Sequence, residues 1–87
     1  MHVFMVERDL SGTTLSDLNS YKAAAIRQAE KMYEAGDRVR YLGSTYVPAD
    51  GRCLCLFEAK NIDIVTQLNR DALLPFERIL EAMDIQP

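Results

Sequence analysis

From Cys53 to Phe57 the chain reads Cys-Leu-Cys-Leu-Phe, apolar at every position, with Arg52 before it and Glu58 after it. A strand with one face in water alternates apolar and polar residues, whereas one that is apolar throughout needs cover on both faces. The same holds near the start, where Val3 and Met5 oppose Phe4 and Val6. A chain of 87 residues meets that demand with difficulty, because a domain of this size hides only about 60–65 % of its unfolded surface. Two layers use up the chain. The second face of a sheet built from these strands therefore calls for a partner, most simply a second copy, since two-fold homodimers are the commonest oligomers.

The rest of the chain supplies the first layer. His2 to Glu7 alternates with β-branched and aromatic residues prominent and reads as a strand, broken at Ser11-Gly12. Thr14-Leu-Ser-Asp17 matches a capping box. Beyond it Leu18, Tyr21, Ala25, Ala29 and Met32 recur at helical spacing, with Lys22, Arg27, Glu30 and Glu34 on the other side and Gly36 as a stop. Val39 to Val47 is a second strand, with Val, Tyr, Gly, Thr and Val predicted on one face and Arg, Leu, Ser and Tyr on the other. Pro48-Ala-Asp-Gly51 is turn chemistry and leads into strand three, Arg52 to Ala59. Asn61 caps a short helix from Ile62 to about Leu68. Phe76 to Ile85 fits either a helical stripe through Leu73, Phe76, Leu80 and Met83 or a strand alternation through Ile79, Glu81, Met83 and Ile85. Taken as a strand it completes βαββαβ, the ferredoxin-like order. The predicted fold is thus a single α+β domain over residues 1–87. Its four-stranded antiparallel sheet has the order 4-1-3-2, with two helices on one face, and it assembles as a dimeric α/β-barrel-like unit.

Composition narrows the function classes. Hydrophobic residues at 48 % and charged residues at 26 % match an ordinary globular chain and exclude disorder and coiled coil. A net charge of −3 lacks the basic footprint of a nucleic-acid binder. No apolar run approaches the roughly 20 residues a membrane span needs. Met-His-Val-Phe-Met-Val-Glu-Arg-Asp at the start carries no basic-then-apolar leader pattern, so no signal peptide is expected. Cys53 and Cys55, the only cysteines, point to the same side of a strand with Cβ atoms too far apart for a local disulfide, so they read as reduced thiols packed in the core. Reduced thiols fit the cytoplasm.

Chemistry-bearing constellations are few. Val3-Met5-Glu7 and Leu54-Leu56-Glu58 share the pattern apolar, apolar, acid. In a 4-1-3-2 sheet strands one and three are expected to lie side by side and run in the same direction, which brings Glu7 and Glu58 to one end of the face away from the helices. Paired carboxylates against an apolar wall raise each other's pKa and suit a general base. Arg8 beside them would stabilise developing negative charge. Tyr41 and Tyr46 are candidate ligand contacts, joined by Arg40, which faces Arg52 across the hairpin if the register allows. One histidine, His2, is too few for a histidine-based triad or a conventional zinc site. No phosphate loop or dinucleotide fingerprint is present. No metal ligands and no cofactor are assigned from these residues.

Phe4-Met-Val-Glu-Arg-Asp-Leu-Ser-Gly12, Gly43-Ser-Thr-Tyr-Val47, the Asp50-Gly51 turn and Leu74-Pro75 together resemble a family of small bacterial domains of unknown function. That family is typified by an actinobacterial nickel-binding protein. The similarity runs over nearly the whole chain, its opening being the most specific part. It implies a ferredoxin-like fold and a homodimer, and it favours a strand for the final segment. Family members carry a histidine in the second helix, where Gln67-Leu68-Asn69 stands here, and a glycine where this chain has Leu73-Leu74-Pro75. A histidine-rich nickel site therefore does not carry over. The expected function is a cytoplasmic homodimeric module binding a small apolar molecule or a metal ion. The alternative is a cofactor-free cyclase, isomerase or monooxygenase with Glu7 or Glu58 as proton acceptor, a chemistry known for other dimeric ferredoxin-like domains.

Overall fold

The computed structural model describes residues 1–83 and 85–87; Asp84, within the segment expected as the last strand, lies outside them. The elements are β1 (His2–Asp9), α1 (Leu15–Glu34), β2 (Val39–Val47), β3 (Arg52–Ala59), α2 (Ile62–Asp71) and β4 (Arg78–Ala82). They form one four-stranded sheet in the order β2-β3-β1-β4, with every neighbouring pair antiparallel. This is the βαββαβ ferredoxin-like arrangement expected from the sequence. β4 is shorter than the alternation predicted, and α2 runs three residues beyond Leu68.

Local chemistry starts both helices. The Thr14 hydroxyl accepts from the Asp17 amide at 3.1 Å, and the Asp17 carboxylate accepts from the Thr14 amide. The Asn61 side-chain oxygen accepts from the Ile64 amide at 3.0 Å. Each cap satisfies a first-turn donor that has no partner within its helix. α2 closes with the Leu74 amide on the Asn69 carbonyl and the Leu73 amide on the Arg70 carbonyl. Leu73 takes the left-handed backbone (φ 56) that this closure requires. It does so where the family resemblance leads one to expect glycine.

The core lies between the sheet and the helices. Phe4, Val6, Cys53, Cys55, Phe57 and Ala59 are buried on the helix side, against Ala25, Ala29 and Met32 of α1 and Val65 and Leu68 of α2. The opening segment and the hairpin turn also meet. The Leu10 amide donates to the Gly51 carbonyl at 2.8 Å, and a Cβ at Gly51 (φ +74) would overlap the Ser11 backbone. That contact packs the Leu10-Ser11-Gly12 break against the Asp50-Gly51 turn.

Two expectations about register are corrected. First, β1 and β3 are antiparallel, because β1, α1 and β2 form a crossover that leaves β1 and β2 co-directional while the hairpin reverses β3. Second, β2 carries a bulge between Tyr41 and Gly43. The extra residue, Leu42, shifts the alternation by one, as a bulge does. Val39 and Tyr41 share the helix face with Ser44 and Tyr46, opposite Ala59, Phe57, Cys55 and Cys53, while Gly43, Thr45 and Val47 take the open face.

The open face is apolar at its centre. Met5 lies there between Leu56 and Leu80 across the strands, with Leu54 two residues before Leu56, and Leu56 and Leu80 remain 37 % and 38 % exposed. Ion pairs flank them, Glu7 with Arg78 at one end and Arg40 with Glu58 at the other.

Candidate functional site

Antiparallel pairing separates the two carboxylates that the sequence pattern had brought together. Glu7 lies opposite Leu54 and Glu58 opposite Val3, on the same open face but four residues apart along the strands, about 14 Å at strand spacing. Glu7 instead binds Arg78, whose Nε donates to one carboxylate oxygen and whose Nη2 donates to the other at 3.2 Å. That fork holds the Glu7 carboxyl below the usual carboxylate range, against the smaller opposing effect of desolvation, with Arg52 adding to the lowering. A raised pKa was expected; the arginine reverses the sign. Glu58 has Arg40 at 3.8 Å. Arg40 faces Glu58 and Arg52 faces Val47, so the two arginines do not face one another across the hairpin.

Arg8 belongs to the other face. As the last residue but one of β1 it follows Phe4 and Val6 into the helix side, opposite Cys53. It is 2 % exposed. Its Nε donates to the Cys55 sulfur at 3.3 Å and its Nη1 to the Pro75 carbonyl at 3.0 Å. Its Nη2 is buried without a hydrogen-bond partner, and no carboxylate pairs with it among the described residues. Burying a guanidinium without a counter-charge costs several kcal/mol even after the protein relaxes.

This side chain lines a cavity of about 380 Å³ between the N-terminal half of α1 and the β2-β3 half of the sheet, walled also by Tyr41, Ser44, Tyr46, Cys53 and Cys55. α1 closes the other side with Leu18, Tyr21 and Lys22. The volume falls within the range of small-molecule sites, about 300–1,000 Å³. A polar chain crosses its floor. The Ser44 hydroxyl donates to the Cys55 sulfur at 2.9 Å, so the Tyr41 hydroxyl, 2.6 Å from Ser44 Oγ, is the donor in that pair. Burial raises the Tyr41 pKa, with the Ser44 hydrogen bond opposing it, so the phenol stays protonated. Cys53 and Cys55 are free, with their sulfurs 3.8 Å apart. Burial pushes the Cys53 thiol up to about 11, helped by its neighbour Cys55. Both thiols are free and buried in the core as expected, and Cys55 in addition accepts from Arg8 and Ser44.

Of the residues singled out in the sequence, the structure brings Arg8, Tyr41 and Tyr46 into one cavity and leaves Glu7, Glu58 and Arg40 outside it. Ser44, Tyr21 and Lys22 were missed. Ser44 was assigned beside Tyr46 without Tyr41, and only the bulge unites all three. Tyr21 and Lys22 were read as opposite sides of α1.

Nickel does not fit the residues present. Among the described residues no group of three or more His, Cys, Asp or Glu converges to hold a metal ion. His2 is exposed at the start of the central strand β1, with its Nδ1 3.1 Å from Glu81.

The crystal structure of SCO4226 from Streptomyces coelicolor A3(2) has the same fold, with a TM-score of 0.81 and 21 % identity over 97 % of this chain and 99 % of that one. No curated protein matches. Residues 4–82 match the family described as nickel responsive protein SCO4226-like, and the chain belongs to that family.

Proposed function

We propose that this protein is a small-ligand binding module whose ligand carries an anionic group and an apolar or aromatic body. The observation that carries this reading is Arg8, a buried guanidinium in a cavity wall with Nη2 unpartnered. An anionic oxygen there would supply the missing counter-charge and hydrogen bond in a water-poor setting, where a charge-assisted bond is strong. Lys22 at the same cavity adds to the preference for negative charge, and the tyrosines offer ring faces to an apolar body. Catalysis through Glu7 has no such support. That carboxylate is paired with Arg78 on the face away from the cavity.

The protein acts as a homodimer through its open sheet face. Support comes from the apolar centre of that face, Met5, Leu54, Leu56 and Leu80, framed by ion pairs. A polar rim around an apolar centre is the usual anatomy of an interface. Two free cysteines accord with a reducing, cytoplasmic setting. No described helix is long and apolar enough to cross a membrane.

Native mass spectrometry of protein purified without added ligand reads both parts together. The expected result is a dimeric mass with an anionic compound retained, and loss of that compound in Arg8→Met. Retention undiminished in Arg8→Met would overturn the Arg8 reading.

A further inference from the structure

The spacing of the two cavity sulfurs carries a second site. Cys53 and Cys55 lie on the same side of β3, both in the cavity wall, with Sγ atoms 3.8 Å apart. Residues two apart on a strand have Cα atoms about 6.6–6.8 Å apart, at the far limit of disulfide geometry, so direct oxidation would require the strand to contract. Two sulfurs bound to one thiophilic atom at about 2.3 Å each are about 3.3–3.8 Å apart for bond angles of 90–110°. The pair is spaced for a bridging atom. Arg8 Nε and Ser44 Oγ hold the Cys55 sulfur in place from two directions, and the cavity beside it leaves room for a group carried by the bridging atom.

We propose that Cys53 and Cys55 form a dithiol site that captures a trivalent organoarsenical or a like thiophilic centre, with its organic group seated among Tyr21, Tyr41 and Tyr46. With an arsenoxide the step balances without any redox change. Two As–S bonds form, the As=O bond breaks, and its oxygen leaves as water with the two thiol protons. The proposal rests on the cavity described above but not on an anion at Arg8. Anion titration of the same protein by calorimetry reads that other claim separately.

The test uses the folded chain and phenylarsine oxide as probe. The protein is treated, washed with excess glutathione, and weighed under native conditions. One phenylarsenic group per chain is expected, resistant to the monothiol and released by 2,3-dimercaptopropanol. Cys53→Ala and Cys55→Ala should each lose the resistant adduct. Trypsin cutting after Arg52 and Lys60 places both cysteines in one peptide, so mapping the wild-type adduct decides the matter if a variant fails to fold. No resistant adduct on the folded wild type would overturn the proposal. So would one arsenic shared between two chains, or resistance that survives in either variant.

Discussion

The Nε of Arg8 donates to the sulfur of Cys55 at 3.3 Å across two neighbouring strands, and no carboxylate takes part. A buried arginine with sulfur and a carbonyl as its partners has strong donors and weak charge compensation. Such a group costs stability unless something else uses it. In this fold the candidate user is a ligand, since the unpartnered Nη2 belongs to a cavity-lining residue.

Arg8→Met tests that reading through stability as well as binding. Methionine fills similar volume and removes the buried charge, and swaps of that kind are often neutral or stabilising. The urea midpoint should stay level or rise by the equivalent of about 0–2 kcal/mol, while calorimetric binding of small aromatic carboxylates is lost. A fall in stability larger than about 2 kcal/mol would make Arg8 a structural residue.

Glu7→Gln should act on stability with a defined pH dependence. Arg78 lowers the folded-state pKa of Glu7 from its ordinary 4.5, so the unfolded chain binds the proton more readily. The stabilisation is then fully present above the ordinary value and disappears as pH falls through the lowered one. Melting temperatures of wild type and variant should differ most near neutrality and converge as pH falls through the lowered value. A gap that widens on acidification would contradict the ion pair.

The open face is checked with Leu56→Glu. Leu56 is 37 % exposed, so the substitution spares the core, but a carboxylate placed in an apolar interface resists burial. Light scattering at micromolar concentration should give a dimer mass for the wild type and half that mass for the variant. A wild-type monomer would remove the explanation for Met5, Leu54, Leu56 and Leu80.

Leu73→Gly should stabilise the protein. Leu73 is 88 % exposed and has a φ of 56, so its side chain packs against little while its backbone sits where glycine is at ease. Relief of that conformation outweighs the entropy of the added glycine by about 0.5–1 kcal/mol, read as a higher melting temperature. A lower one would mean that the Leu73 side chain is covered in the assembled protein.

Most of the architecture was legible because it is written in short-range patterns. Period-two and helical alternation placed the first five elements, while the final segment fits helix or strand and only the family resemblance favours the strand; Thr14 and Asn61 marked the helix starts through contacts with residues three positions away. The double-sided apolar strands marked the open face, since facing is a property of alternation. Glu58 was placed on the right face for that reason and at the wrong end of it.

What alternation cannot carry is direction and offset. Whether Glu7 meets Glu58 or Arg78 depends on which way β3 runs beside β1, and that follows from the handed crossover and the hairpin rather than from either strand's residues. One extra residue at Leu42 moved Ser44 and Tyr46 onto the face of Tyr41, a shift that leaves the local pattern looking regular. In the sequence Arg8 reads as a companion of the Glu7 carboxylate, and it became a buried cation on the other face only when α1, β3 and the Pro75 loop packed around it. Strand and helix identity come from each segment's own periodicity. The cavity comes from segments 47 and 67 residues from Arg8 meeting its guanidinium, and only the packed chain decides such long-range contacts.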